Sequence, residues 1–287
     1  MRHAPSVVGR CYKHTTCAVT RADNEDRKLD FDNPHVREVF FDVHSGLPRE
    51  GPGNRAATAR ALAMCGKLPS GARVLDIACG PGQQTLDLAD LLPDATIAAV
   101  DNHPPFVEEA NRRAAARGLA DRVRAQVGDM TALAFAPSSF DLVWCEGAAY
   151  IMGVEAALKA WRPLLKPGGR LALSEAVWLK PDPPERVRRC WTDYPDMGDI
   201  GACRELVARA GYRLLGDFVL PEAAWWDDYY TPKLARIAAL RAKYADDEPG
   251  RSVLDLTVEE TEMYRTHSAY YGYIFLAMTT APSANSD

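Results

Sequence analysis

The tightest constraint in this sequence is the stretch Arg73–Thr85, RVLDIACGPGQQT. A buried strand is predicted over Val74–Cys79, followed by a turn, Gly80-Pro81-Gly82, and the start of a helix. The glycines let the backbone bend sharply and let a ligand reach main-chain N–H groups with no Cβ in the way. The exposed N–H groups and dipole of the helix favour a ligand carboxylate or phosphate at that point. This is the corner of a Rossmann-like unit. Alone it is a weak sign of function, and the chain that follows strengthens it.

Strands and helices alternate after the corner. A helix over Gln83–Leu92 leads to strand two at Thr96–Val100, which ends at Asp101. A helix over about Pro105–Arg117 leads to strand three at Val123–Val127. Strand four covers Phe140–Cys145, a helix covers about Gly153–Leu165, and the turn Lys166-Pro167-Gly168-Gly169 opens strand five at Arg170–Glu175. A helix at Ile200–Ala210 precedes strand six at Tyr212–Leu220, and Tyr271–Thr280 forms the last strand. This rhythm predicts an α/β fold: a Rossmann-like, seven-stranded, mostly parallel sheet with helices on both faces. Ligands of such sheets bind beyond the carboxyl ends of the strands.

About fifty residues, Pro221–Tyr270, separate strands six and seven. Thr231 before Pro232 predicts a helix start, with Leu234, Ile237, Leu240 and Tyr244 as its apolar stripe. Thr257 and Glu260 read as a capping box opening a second helix. The insertion is therefore expected to be a helical cap, with residues of about 178–198, carrying Trp178, Trp191 and Tyr194, added to it. Upstream, Asn54–Lys67 has Ala57, Ala61, Leu62 and Cys65 at helical spacing. A short helix is expected around Val36–Phe41, and the Gly/Pro loop after it carries His44, Arg49 and Glu50. Its charges are either binding elements or solvated groups on a connector. Residues 1–30, polar and mixed in charge, are expected to be poorly ordered, with residues 31–287 forming one domain.

The net charge of −5 steers the chain toward neither nucleic acid nor an anionic membrane. No apolar run reaches the ~18–20 residues of a membrane helix. The seven cysteines show no CxxC or Cys/His ligand cluster, so reduced thiols, a cytoplasmic location and no metal site are expected.

Three carboxylates, Asp76, Asp101 and Asp129, fall at three successive strand ends. Asp101 lies about twenty residues past the glycine turn, where a carboxylate can bind ribose hydroxyls. With Val74–Gly82, Ala98–Asp101, Gly128-Asp129-Met130, Phe140–Val143 and Leu165–Gly169, the chain resembles class I S-adenosylmethionine-dependent methyltransferases. One departure is Ala78, where the family more often has its first glycine. A nicotinamide-binding dehydrogenase would need a third glycine or alanine where this chain has Thr85.

The resemblance implies S-adenosyl-L-methionine as cofactor and S-adenosyl-L-homocysteine as product. It places Asp76 and the Gly80–Gly82 turn on the methionine moiety, with Ala78, Cys79 and Thr85 in the same binding corner. It places Asp101 on the ribose, Asn102 and His103 beside the sugar and adenine, and Gly128, Asp129 and Met130 at the adenine. Glu146, Gly147 and Ala148 would lie near the methyl group. For contact with the acceptor the candidates are Glu146, Tyr150, His44 and His267, the last expected to share a helix face with Tyr264, Tyr270 and Tyr271. Trp225, Trp226, Tyr229 and Tyr230 are either acceptor-pocket walls or core.

Residues 221–270 hold ten Asp and Glu against six Lys and Arg. Such a cap is a poor platform for a phosphate backbone and suits a small organic molecule better. The expected function is methyl transfer to a small-molecule acceptor. The alternatives are an RNA or protein methyltransferase and a catalytically silent cofactor-binding protein. A homodimer through the cap is the expected assembly.

Overall fold

Seven strands form one sheet in the order β3-β2-β1-β4-β5-β7-β6. They are β1 (Arg73–Ile77), β2 (Thr96–Asp101), β3 (Val123–Val127), β4 (Phe140–Glu146), β5 (Leu165–Trp178), β6 (Tyr212–Val219) and β7 (Tyr271–Thr280). Only β7 runs antiparallel to its neighbours. The computed structural model describes residues 29–280, together with the two-residue strands Val19–Thr20 and Asp26–Arg27, which pair with each other. The expectation of a poorly ordered arm over residues 1–30 falls mostly outside the described residues.

Nine α-helices of six residues or more occur among the described residues: α1 (Pro34–His44), α2 (Arg55–Cys65), α3 (Gln83–Leu91), α4 (Pro104–Ala116), α5 (Val154–Trp161), α6 (Glu185–Cys190), α7 (Ile200–Arg209), α8 (Thr231–Leu240) and α9 (Glu248–His267). Alternate residues of a strand face opposite sides of the sheet. Leu75 and Ile77 therefore pack with Leu158 and Trp161 of α5 and Val207 of α7. Val74 packs on the other side with Ala57 and Ala61 of α2 and Leu86 of α3. Both faces are covered, which explains why the central strands read as nearly continuous apolar runs.

The turn expected at Lys166–Gly169 lies inside β5 as an irregularity. Phe140 pairs with Leu165 and Leu142 with Arg170, so four residues of β5 bulge out opposite Asp141. The bulge is pinned because Asp141 Oδ2 accepts hydrogen bonds from Lys166 Nζ at 2.7 Å and the Arg73 N–H at 2.8 Å.

Helix α1 starts at Asn33, whose side chain accepts from the His35 N–H, and runs longer than the Val36–Phe41 stretch expected. Its buried Val39, Phe40 and Val43 pack on Ile237 and Leu240 of α8 and Val253 and Leu254 of α9. Each side chain so buried contributes roughly 1.5–3 kcal/mol. Polar contacts join the same elements: Asp42 accepts from Arg236 at 3.0 Å and from Tyr244 at 2.7 Å.

Three local expectations are corrected. Thr257 does not open a helix: α9 begins ten residues earlier, capped by Asp247, and Thr257 Oγ1 donates to the Val253 carbonyl from mid-helix. Thr231 does begin a helix, α8, with Pro232 in its first turn as expected, and the helical turns Ala223–Trp225 and Trp226–Tyr230 run straight into it. His267 does not share a helix face with Tyr270 and Tyr271, since α9 ends at His267 and Tyr271 starts β7. Cys65, Cys79, Cys145 and Cys203 are free and buried, but Cys190 is disulfide-bonded, against the expectation of reduced thiols throughout.

Candidate active site

Strand β1 ends at Ile77, and Ala78 then enters the left-handed region with φ +58°. There a Cβ crowds the following carbonyl at a cost of ~1–2 kcal/mol, so alanine at this point is strained rather than neutral. Ala78→Gly should raise the unfolding free energy by about 0.5–1 kcal/mol, part of the relief being offset by the extra freedom glycine gives the unfolded chain. Urea denaturation tests this, and an unchanged or lowered midpoint would contradict it. Gly82 is the N-cap of α3 at φ +89°, and a Cβ on it would sit 2.8 Å from Ala110 Cβ. The close approach of α3 and α4 requires glycine there.

Carboxylates brace the corner from below and beside. Asp101 Oδ2 accepts from the Gly80 N–H and Oδ1 from the His103 N–H, both at 2.9 Å. Asp76 Oδ2 accepts from Thr85 Oγ1 at 2.5 Å, while its Oδ1 is buried without a hydrogen-bond partner among the described residues. Burial pushes the Asp76 carboxyl up to about 8. The folded chain thus keeps a proton that the unfolded chain has lost above about pH 4. Native stability attributable to Asp76 falls as pH rises through that window. Asp76→Asn does not titrate, so its stability relative to the wild type should improve between about pH 5 and pH 8. Denaturation at both pH values measures the gap, and a gap that stays constant would refute the shifted carboxyl.

Beyond the carboxyl ends of β1, β2 and β4 opens a cleft of about 990 Å³. Of the residues singled out in the sequence, it is lined by Arg49, Glu50, Ala78, Cys79, Gly80, Asp101, Asn102, Gly128, Asp129, Met130, Glu146, Gly147, Ala148 and Tyr150. Asp76, Gly82 and Thr85 stand behind this wall. His103 also lies off it, its ring stacked on Phe41 of α1 at 4.0 Å, while Phe106 faces the cleft. Asp129 Oδ1 accepts from the Thr131 N–H and Oγ1, both at 2.8 Å. His267 lines neither the cleft nor the compartment beside it; its Nδ1 meets Thr266 Oγ1 at 2.7 Å.

Glu146 is not a free base. Its Oε2 accepts from Arg49 Nη1 at 2.7 Å, and its Oε1 from Trp144 Nε1 at 2.9 Å and Thr58 Oγ1 at 3.3 Å. Arg49, 2% exposed, also donates through Nη2 to Asp87 at 2.6 Å and lies 3.7 Å from Asp228. One buried guanidinium thus holds three carboxylates from α3, β4 and the turns before α8. Sequence reasoning placed Arg49 on a polar loop without assigning it this role. A Cβ on Gly53 would sit 2.6 Å from Glu146 Oε2, so glycine there leaves room for the ion pair.

Beside the cleft lies a second compartment of about 600 Å³. The two share Glu50, Gly51, Pro52, Gly147 and Tyr150. Trp225, Tyr229 and Tyr230 line the second compartment, whereas Trp226 does not. His44 is buried, stacks on Phe40, and hydrogen-bonds Glu50 Oε2 through Nδ1. Burial pushes His44 well below its ordinary value and Glu50 well above its own. Glu50 Oε1 is buried with no hydrogen-bond partner among the described residues.

No group of three or more metal-ligating side chains occurs among the described residues, and no described helix is long and apolar enough to cross a membrane.

Residues 74–169 match the model of a methyltransferase domain family. Over 126 residues the chain is 36% identical to the demethylmenaquinone methyltransferase of Deinococcus radiodurans, covering 42% of this chain and 48% of that protein. Over 134 residues it is 34% identical to the 27-O-demethylrifamycin SV methyltransferase of Amycolatopsis mediterranei, covering 44% and 48%. The chain thus spans about half the length of these curated relatives. Its fold superposes with a TM-score of 0.74 on the S-adenosylmethionine-dependent methyltransferase of Geobacter sulfurreducens, solved with S-adenosyl-L-homocysteine. That alignment is 23% identical and covers 85% of this chain and 98% of the other. Strand order, glycine corner and matched segment agree: residues 74–169 match a methyltransferase domain, and the chain has the fold of S-adenosylmethionine-dependent methyltransferases and resembles them in sequence.

Proposed function

We propose that the protein transfers a methyl group from S-adenosylmethionine to a small organic acceptor held in the aromatic compartment. The observation that carries this reading is the junction of the two compartments at Glu50, Gly147 and Tyr150. A cofactor in the cleft and an acceptor next door would meet there.

The cleft suits the cofactor's charge. Its sulfonium and ammonium groups are cationic, and the wall presents Glu50, Asp101, Asp129 and Glu146 against one arginine already shared by three carboxylates. Asp101 would receive the ribose, Asn102 and Phe106 would flank the sugar and adenine, and Asp129 and Met130 would meet the adenine edge. When bound, the cofactor supplies an electrophilic methyl group. This chain's task is to hold the acceptor atom in line behind that carbon, a matter of proximity and orientation. We further assign residues 178–198 and 221–270 as the cap over the acceptor site, within a domain spanning 31–287.

Calorimetric titration with S-adenosylmethionine and S-adenosylhomocysteine is the direct test, followed by transfer of labelled methyl to candidate acceptors. Micromolar binding of both is expected. Binding of a nicotinamide dinucleotide instead would refute the proposal.

A further inference from the structure

The aromatic compartment has a charge pattern of its own. Its wall is Trp191, Trp225, Tyr229, Tyr230, Tyr271 and Tyr273, and two carboxylates, Glu50 and Glu260, open onto it. Glu260 Oε1 accepts from Tyr230 at 3.2 Å and Tyr229 at 3.5 Å, but Oε2 is buried with no hydrogen-bond partner among the described residues. Glu50 Oε1 and Trp225 Nε1 are in the same condition. A buried polar atom left unpaired is costly, and all three belong to residues that line this one pocket. Two of the three are carboxylate oxygens wanting a donor, and one is an N–H wanting an acceptor.

The buried ammonium of Lys233 does not pair these atoms. Lys233 Nζ donates to Tyr229 at 2.7 Å and lies 3.9 Å from Glu260 Oε1, and Lys233 is not part of the pocket wall. Tyrosine and tryptophan faces attract organic cations through the ring quadrupole. A neutral planar ring would gain the stacking but leave both carboxylate oxygens facing an uncharged guest.

We propose that the acceptor is an organic amine, bound in this aromatic and carboxylate cage, and that Glu50 receives the proton it must shed. This rests on the methyltransferase reading and names the acceptor class within it. A protonated amine has no free electron pair, and beside a sulfonium it is repelled. The nitrogen's N–H bond breaks and the proton passes to Glu50 Oε1. The freed pair then forms the N–C bond, while the pair of the broken S–C bond stays on sulfur. His44 fixes the other Glu50 oxygen, and Lys233, Arg113 and Asp101 set the field around it. Trp225 Nε1 is left to meet an oxygen elsewhere on the amine.

The probes are choline and its uncharged carbon isostere, 3,3-dimethyl-1-butanol, titrated into protein saturated with S-adenosylhomocysteine, whose sulfur carries no charge. Calorimetry and tryptophan fluorescence, from Trp191 and Trp225 in the wall, report binding. Choline should bind about tenfold tighter than the isostere. Glu260→Gln should bring the two toward parity, with homocysteine-product affinity showing that the fold is intact. Should Glu260→Gln fail to fold, Trp191→Leu, a half-buried ring, should cut the choline preference in its place. Equal or tighter binding of the isostere, or no choline binding at about 10 mM, weaker than ~3 kcal/mol, overturns the proposal. Absence of S-adenosylhomocysteine binding would strike the methyltransferase reading instead, and the choline preference can then be read on the ligand-free protein.

Discussion

Arg49→Ala is expected to lower the unfolding free energy by about 3–5 kcal/mol, because it strands buried charge. The guanidinium is the common partner of Asp87, Glu146 and, at longer range, Asp228. Glu146 and Asp87 keep only neutral donors once it is gone, Trp144 and Thr58 for the first and Gln83 for the second, apart from Arg55 at 3.8 Å from Asp87. A domain of ordinary stability has only ~5–15 kcal/mol in total, so the variant should unfold at a much lower urea concentration. Arg49→Lys should recover only part of the loss, since an ammonium cannot address two carboxylates with a rigid fork. A loss under ~1 kcal/mol for Arg49→Ala would mean that the carboxylates find water or protons instead.

Asp101→Ala is expected to weaken binding of S-adenosylmethionine and S-adenosylhomocysteine by about 100-fold, or ~2.8 kcal/mol. The effect has two sources. One is the ribose contact assigned to the carboxylate. The other is local: Asp101 holds the Gly80 N–H and the His103 N–H, so its removal loosens the glycine corner and the start of α4 together. Asp101→Asn keeps one acceptor oxygen but turns an amide NH₂ toward the second N–H, and should fall between the two. Calorimetry of each variant, with a denaturation curve as companion, separates binding from folding. Affinity within about threefold of the wild type, ~0.7 kcal/mol, would reduce Asp101 to a backbone brace.

The sheet was legible because its signals are local. Val123–Val127 and Tyr271–Thr280 have the bounds expected of them, the first as an alternation of apolar and polar residues and the second as a mostly apolar run. The glycine corner and the residues lining the cleft at Asp101, Asp129 and Glu146 were legible for the same reason: each ends a strand. What escaped is what spacing does not encode. Arg49 meets Asp87 and Glu146 across 38 and 97 residues, and no periodicity connects them. Thr257 and Glu260 carry the letters of a capping box, but the helix already runs through them. The true start, Asp247-Glu248-Pro249, was the better signal, an N-cap followed by proline in the first turn. Ala78 stands where the resembled family more often has glycine, and its φ, which a sequence does not display, makes the two unequal. His267 was drawn to the site by aromatic neighbours in sequence that the end of α9 sends elsewhere.

The position of α1 in the chain has a consequence for biosynthesis. Chains emerge from the ribosome amino end first, and domains fold as units. Helix α1 is made early, yet Asp42 meets Arg236 and His35 meets Asp247 across 194 and 212 residues. Its apolar stripe of Val39, Phe40 and Val43 has no permanent seat until α8 and α9 have left the tunnel. The wall that carries His44, Arg49 and Glu50 thus settles late, although it is translated well before α8 and α9. A nascent chain arrested before α8 would carry the whole glycine corner and still lack a closed site.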